Sequence, residues 1–159
     1  MKKIFTLFSA SVSILLCACA PNFDPVSEIP DTTWTPIHTE GAMKGVEIPD
    51  DPNNPVFIHF GKDLKVNGMA GVNNFFGACE LSKETAGRSE CKVRWSPLGT
   101  TRMAGPYLEY ESKFLKDIRE TDSIRMSANK LEFLKGRKLL VEFKRIPNFQ
   151  NRPATKQAE

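Results

Sequence analysis

The chain has 159 residues, of which 40% are hydrophobic and 26% charged, and this length allows one ordinary domain but leaves no room for a second. It has 22 Lys and Arg residues against 19 Asp and Glu residues, and loss of Lys2 and Lys3 with an N-terminal leader would reduce the excess from three to one. A near-neutral chain lacks the net basic face that non-specific nucleic-acid binding requires, so we expect no nucleic-acid partner.

The N-terminus has the layout of a secretory signal peptide. Lys2 and Lys3 precede an uncharged apolar run over residues 4–16. A membrane-spanning helix needs roughly 20 apolar residues, and this run is shorter and is followed by small residues and Pro21. The pattern therefore predicts a segment that is removed after export.

The end of this run predicts lipidation of Cys19. Residues 16–19 are Leu-Cys-Ala-Cys, the form that lipoprotein signal peptidase accepts, with a small residue directly before Cys19. Cys17 fits poorly because a bulky leucine precedes it. We predict a lipoprotein signal peptide over residues 1–18; the alternative is an ordinary secreted protein cleaved near Ala18 or Ala20.

Lipidation predicts a location in the cell envelope. Three acyl chains at about 0.8 kcal/mol per buried methylene make an effectively permanent membrane anchor. Ala20, and not Asp, follows Cys19, which by the usual sorting in Gram-negative bacteria indicates the periplasmic face of the outer membrane. Residues 19–30 are polar and Pro-rich and are predicted to be a flexible stalk, residues 31–146 the folded domain, and residues 147–159 a disordered tail.

Cys79 and Cys91 are the cysteines of the predicted folded part. An even number in an oxidising compartment suggests a disulfide, which would stabilise the fold by about 3 kcal/mol. A metal or redox site is the alternative, but the Cys-x-x-Cys spacing is missing and only His38 and His59 could join it. We predict the disulfide, and no metal or other cofactor.

The folded part is predicted to consist of antiparallel strands. Alternating apolar and polar residues between turns predict strands at 32–37, 56–60, 64–68, 78–82, 91–95, 123–127, 130–134 and 138–145. Residues 68–77 contain three glycines and two asparagines, which predicts left-handed or closely approached backbone. No Gly-Lys-Ser or Gly-Lys-Thr ends this segment, so it is not a phosphate loop.

One amphipathic helix is predicted from Gly105-Pro106 to about Glu120, since proline suits the first helical position. Glu109 and Glu111 are interpreted as solvated, and Glu109 with Lys113 as a favourable surface pair. The predicted buried stripe has spacings of three and four: Tyr107, Leu108, Phe114, Leu115 and Ile118.

Many antiparallel strands with a single helix exclude a doubly wound sheet, which needs a helix for each crossover. The predicted fold class is mainly β with one helix (α+β): a curved antiparallel sheet or half-open barrel packed on the amphipathic helix, with Trp34 pointing inward.

Over about residues 33–146 these features resemble the META domain, the family of HslJ-like heat-shock lipoproteins. The resemblance is carried by Trp34, the helix with the final strands, Gly68-x-x-Gly71-x-Asn73-x-Phe75-x-Gly77, and Thr101-Arg102-Met103-Ala104. Family members commonly have cysteine where Val72 and Gly105 stand here. If those cysteines lie near each other in relatives, losing both is coherent, because losing one would leave a free thiol.

The resemblance implies a non-enzymatic envelope protein with a structural or stress-related role, which we expect to be monomeric and to contact another envelope component. The sequence contains neither Gly-x-Ser-x-Gly nor His-Glu-x-x-His. One alternative is a carrier of an apolar ligand, although the helix stripe filling the barrel is the simpler interpretation. Another is a hydrolase with an unrecognised site. The aromatic residues that suggested a carrier are Phe57, Phe60, Phe75, Phe76 and Phe133.

Overall fold

The computed structural model describes residues 23–83 and 89–147. The predicted signal peptide with Cys19, and the predicted tail from residue 148 on, lie outside the described residues. In chain order the elements are α1 (Pro25–Glu28), β1 (Thr32–Thr39), β2 (Phe57–Phe60), β3 (Lys65–Met69), β4 (Asn74–Lys83), β5 (Glu90–Trp95), β6 (Gly99–Thr100), α2 (Leu108–Glu120), β7 (Ser123–Ser127), β8 (Lys130–Lys135) and β9 (Lys138–Arg145).

Eight strands form a closed antiparallel barrel in the order β3-β2-β1-β9-β8-β7-β5-β4, and β4 pairs back onto β3. The first half of β4 pairs with β3 and the short β6, and its second half pairs with β5. The prediction of a mainly β fold with an amphipathic helix is confirmed, but the half-open form is wrong. Residues 74–77, part of the glycine-rich segment, are extended and supply the pairing that closes the barrel.

Aromatic rings fill the barrel interior. Trp34 is fully buried, as predicted. A chain of ring contacts runs from Phe60 to Trp95 (6.3 Å between centroids), on to Phe133 (5.6 Å) and then to Phe143 (4.6 Å). Phe114 of α2 continues it at 6.2 Å from Phe143. Removal of one such ring typically costs about 3–5 kcal/mol, so this packing is a main source of stability.

The strand directions place the two helices at opposite ends of the barrel. β1 starts directly after α1, and Trp34 near its start pairs with Arg145 at the end of β9. This end, which we call the α1 end, also carries the turn at 61–64 and the β7–β8 hairpin at 128–129. The other end, the α2 end, carries the connections 40–56, 70–73 and 96–107 and the β8–β9 hairpin at 136–137.

Helix α1 belongs to the folded domain, so the predicted stalk over residues 19–30 is too long. Asp24 caps the helix through a hydrogen bond from the Val26 amide (3.2 Å), and its carboxylate lies 2.6 Å from the Lys83 ammonium. Pro25 and Ile29 are buried, and Ile29 is part of the core. The prediction failed because the segment is polar and Pro-rich overall, although its apolar residues Pro25 and Ile29 close the α1 end.

Helix α2 begins at Leu108, slightly later than predicted, and ends at Glu120 as predicted. Leu108, predicted to belong to the buried stripe, is 43% exposed, so the prediction is wrong for this residue. The surface pair of Glu109 with Lys113 is confirmed at 2.7 Å. Glu111, predicted to be solvated, is only 7% exposed, so that prediction is wrong. The buried positions are Tyr110, Glu111, Phe114, Leu115, Asp117 and Ile118.

The final three strands match their predicted positions closely, with β8 one residue longer. Two-residue connections at 128–129 and 136–137 separate them. No helix in residues 23–83 and 89–147 has the length and apolar character to cross a membrane.

Candidate functional site at the α2 end

Asn73 is the centre of a buried polar network at the α2 end, where its side chain is 2% exposed. Its Oδ1 accepts hydrogen bonds from Thr101 Oγ1 (2.8 Å) and the Met103 amide (2.7 Å). Its Nδ2 donates to the Met103 carbonyl (3.1 Å) and to Glu111 Oε1 (2.9 Å). A carboxamide has two donor hydrogens and two main acceptor positions, so all of its capacity is used.

Glu111 completes this network from helix α2. Its Oε2 accepts hydrogen bonds from the amides of Val72 (3.2 Å) and Asn73 (2.7 Å). A buried carboxylate without partners costs several kcal/mol, and here three donors offset that cost. The network therefore ties together the loop at 70–73, the segment at 101–103 and the helix.

Two glycines let the backbone take the path that brings Asn73 to this position. Gly71 has φ +141°, in the region that side-chain-bearing residues rarely adopt. Gly68 has ordinary φ, but a Cβ there would lie 2.1 Å from the Phe57 carbonyl oxygen and 2.6 Å from the Phe75 ring. The sequence prediction of left-handed or closely approached backbone in this segment holds at both positions.

Val72 and Gly105 lie in contact beside the network. A Cβ placed on Gly105 would be 2.7 Å from Val72 Cγ2 and 3.4 Å from Val72 Cβ. The valine side chain therefore occupies the space that a side chain at position 105 would need.

The META domain family model matches residues 27–146, which include every strand and helix α2. The chain belongs to the META domain family. An NMR structure of a protein from Burkholderia xenovorans is similar, with TM-score 0.59 and 19% identity, covering 92% of this chain and 99% of that one. A second NMR structure has TM-score 0.51 and 21% identity over 73% of this chain and 90% of the other. At these identities the likeness shows the fold alone. No curated protein matches the chain.

In this META domain Val72 and Gly105 are in contact, and these are the two positions at which the resemblance implies cysteines in other family members. Because positions 72 and 105 are in contact, a cysteine at only one of them would leave a thiol without its partner. The joint presence of Val72 and Gly105 is therefore coherent, since each accommodates the other.

A second buried carboxylate, Asp117, fixes another loop of the META domain to helix α2. Its Oδ1 accepts from the Ala42 amide (2.7 Å) and its Oδ2 from the Met43 amide (3.3 Å). Burial raises the pKa of Asp117, and these two amides oppose the rise. Gly41 lies so close that a Cβ would meet the carboxylate at 2.3 Å. The helix thus holds two remote loops by the same device, a carboxylate that accepts backbone N–H groups.

The predicted disulfide between Cys79 and Cys91 is not formed. Both cysteines are free and buried. In the β4–β5 ladder Cys79 pairs with Trp95, whereas Cys91 pairs with Lys83. Four residues of offset at about 3.3 Å each put the two Cα atoms about 13 Å apart along the ladder, while a disulfide joins Cα atoms about 4.4–6.8 Å apart. Burial raises the pKa of each thiol to about 12, so both are protonated.

The two histidines, which were candidates for a metal or redox site, each contact another polar side chain. His38 contacts Glu40 at 3.1 Å on the surface, and His59 Nδ1 lies 2.8 Å from Thr33 Oγ1. Within residues 23–83 and 89–147, no group of three or more His, Cys, Asp and Glu side chains could hold a metal ion.

The phenylalanines that suggested a ligand carrier divide between core and surface. Phe60, Phe75 and Phe133 are buried in the packed interior. Phe76 points outward and is 57% exposed. The interior is thus filled by the protein's own side chains, including those of α2, which favours the simpler interpretation made from the sequence.

Sequence reasoning identified Asn73 as a motif residue but missed Glu111 and Asp117. The signal for Glu111 was its position, because 111, 114, 115 and 118 follow the spacing of one buried helix face. A carboxylate on that face required a buried partner.

Proposed function

We propose that this protein is an envelope lipoprotein, acylated at Cys19, whose META domain has a non-enzymatic structural or stress-related role. In this proposal it resides on the periplasmic face of the outer membrane as a monomer. It acts by contact of the α2 end with another envelope component, and no cofactor takes part.

The observation that carries the proposal is the saturation of the polar network. The Asn73 amide uses all of its hydrogen-bonding groups, and Glu111 is engaged with three donors. A general acid or base needs a group that can reach substrate, whereas these groups reach each other and the backbone. The motif therefore supports a positioning role, in which it fixes the shape of the α2 end.

Exposed apolar side chains lie beside the segments that the network fixes. Phe76 follows the network loop on β4, Met103 is 52% exposed next to the Asn73 contact, and Leu108 precedes Glu111 by one turn. Aromatic residues and methionine are enriched at the centres of protein interfaces. A rigid rim with outward apolar side chains supports binding of a partner protein.

The anchor is tested by metabolic labelling with radioactive palmitate. Wild type and the matched variant Cys17→Ala should incorporate label, whereas Cys19→Ala should not. Labelling that survives in Cys19→Ala, or absence of label in wild type, would contradict the proposed anchor.

The contact surface is tested by a photo-crosslinking amino acid placed at Met103 in cells. Asn129 provides the control, because it is also exposed but lies in the β7–β8 hairpin at the α1 end. We expect a discrete adduct from position 103 and none from position 129. No adduct at 103, or the same adduct from both positions, would refute a specific contact at the α2 end.

A further inference from the structure

We propose that the α1 end of the barrel faces a lipid bilayer at close range, so that the α2 end points away from it. The inference rests on the proposed acylation of Cys19 and adds an orientation to it.

The tether between Cys19 and the barrel is short. Four residue steps separate Cys19 from Phe23, the first described residue, and at 3.8 Å per step they span at most about 15 Å in any conformation. Residues after Phe23 cannot lengthen the tether because α1 is fixed to the barrel. Asp24 contacts Lys83 at 2.6 Å, and Ile29 is fully buried in the core.

The barrel is taller than the tether is long. Strand β8 connects the two hairpins at opposite ends, and Asn129 and Gly136 are about 23 Å apart along it at about 3.3 Å per residue. A strand tilt of about 40° reduces this to about 18 Å along the barrel axis. The acylated residue lies within about 15 Å of Phe23 at the α1 end, so the tether is too short to reach along the whole barrel to the α2 end. The α2 end is therefore kept off the membrane that holds the acyl chains.

The tether leaves the barrel beside a groove on the surface of the α1 end. Phe23 lines a groove of about 520 Å³ together with exposed Ala128 and the long side chains of Arg125 and Lys130. The two cations of this groove share Glu132, which lies 3.2 Å from Arg125 and 2.9 Å from Lys130. Each also pairs with a second carboxylate, Arg125 with Glu90 at 3.1 Å and Lys130 with Glu142 at 2.8 Å. Apolar side chains flanked by long cationic ones suit the interfacial region of a bilayer. Because the cations are paired, the contact needs no anionic lipid.

This orientation has a consequence for the proposed contact surface. Phe76, Met103 and Leu108 lie at or near the α2 end, and the tether would present that end to the aqueous compartment. A partner could then reach them without competing with lipid.

The test compares the tips of two hairpins from one meander, which are both exposed but lie at opposite ends. A fluorophore is attached to Asn129→Cys or Arg137→Cys in the mature acylated protein. Cys79 and Cys91 should stay unlabelled because they are buried and protonated. The protein is reconstituted in phosphatidylcholine vesicles that contain a lipid spin-labelled on its headgroup. We expect quenching at 129 to be at least twofold stronger than at 137.

Equal quenching at the two positions would mean that the barrel lies on its side, and stronger quenching at 137 would mean that it is inverted; either result overturns the orientation. A flexible Gly/Ser insertion of about 20 residues between Asn22 and Phe23, with a mean span of about 25 Å, should abolish the difference. If the difference persists, tether length is not its cause. Palmitate labelling of the same preparation separates the two proposals: no label overturns both, whereas label with equal quenching overturns only the orientation.

Discussion

The contact between Val72 and Gly105 predicts that a double substitution, Val72→Cys with Gly105→Cys, will form a disulfide. A Cβ on residue 105 would lie 3.4 Å from Cβ of residue 72. Disulfides have Cβ atoms about 3.5–4.5 Å apart, so a shift of a few tenths of an ångström suffices. Replacement of valine also removes the γ carbons that obstruct position 105.

The expected gain follows from the loop that the bond closes. A loop of about 34 residues corresponds to about 4 kcal/mol on the chain-entropy model. Imperfect geometry and the lost valine methyl group reduce this, so we expect a net gain of about 2–3 kcal/mol. For a domain of this size, that gain raises Tm by about 10 °C.

The assay is thermal unfolding with and without reductant, with peptide mapping of the oxidised protein. Gly105→Cys alone should lower stability by about 1–3 kcal/mol, because its Cβ meets Val72 Cγ2 at 2.7 Å. The double variant should melt higher when oxidised than when reduced. The reasoning is refuted if mapping recovers residues 72 and 105 as free thiols after oxidation, or if the bond forms without raising Tm.

Four further predictions concern buried groups. Asn73→Ala removes partners from Glu111 and from the Met103 backbone, so urea unfolding should show a loss of about 2–4 kcal/mol; a loss below about 1 kcal/mol would contradict the network's role. Tyr110→Phe should be neutral or stabilising by up to about 1 kcal/mol, because the hydroxyl is buried without a partner among the described residues; a clear loss would refute this. Burial raises the pKa of Asp117 above its ordinary 3.8. The contribution of Asp117 to the free energy of unfolding is therefore fully present below pH 3.8 and is lost as the pH rises through the pKa of the folded state. The stability of wild type minus that of Asp117→Asn should therefore fall from pH 3 to 7, and a rise would contradict the sign. Cys79 and Cys91 should resist iodoacetamide until denaturant is added, and rapid labelling of the native protein would be incompatible with their burial.

The strands were predictable where alternation and short turns agreed. The final meander has both, since inward Leu131 and Phe133 alternate with outward Glu132 and the connections contain two residues. Closure of the barrel was missed because Gly77 and its neighbours suggested a loop. Two adjacent phenylalanines also give no apolar–polar alternation in the sequence, although in the strand Phe75 is buried and Phe76 is exposed.

The contacts of the two buried carboxylates could not be read from local sequence. The amides bound by Glu111 lie 38 and 39 residues away, and those bound by Asp117 lie 74 and 75 residues away. Helical periodicity can show that a carboxylate faces the core, but the barrel topology decides which backbone amides meet it.

The disulfide prediction failed because cysteine number carries no information on register. Register in an antiparallel pair depends on the turn and on the match of the buried faces. Here both cysteines point into the core, but Cys91 aligns with Lys83 and not with Cys79.

The disulfide was predicted because a lipoprotein is exported to an oxidising compartment. The free cysteines are nevertheless compatible with such an export. Thiol oxidation and exchange proceed through the thiolate. With a pKa of about 12 for Cys79 and Cys91, the thiolate fraction at pH 7 is on the order of one in 100,000. Buried in the core, both side chains act as small apolar residues. Closure of the barrel and its two helical caps can therefore protect them, so the missing disulfide does not argue against the proposed location.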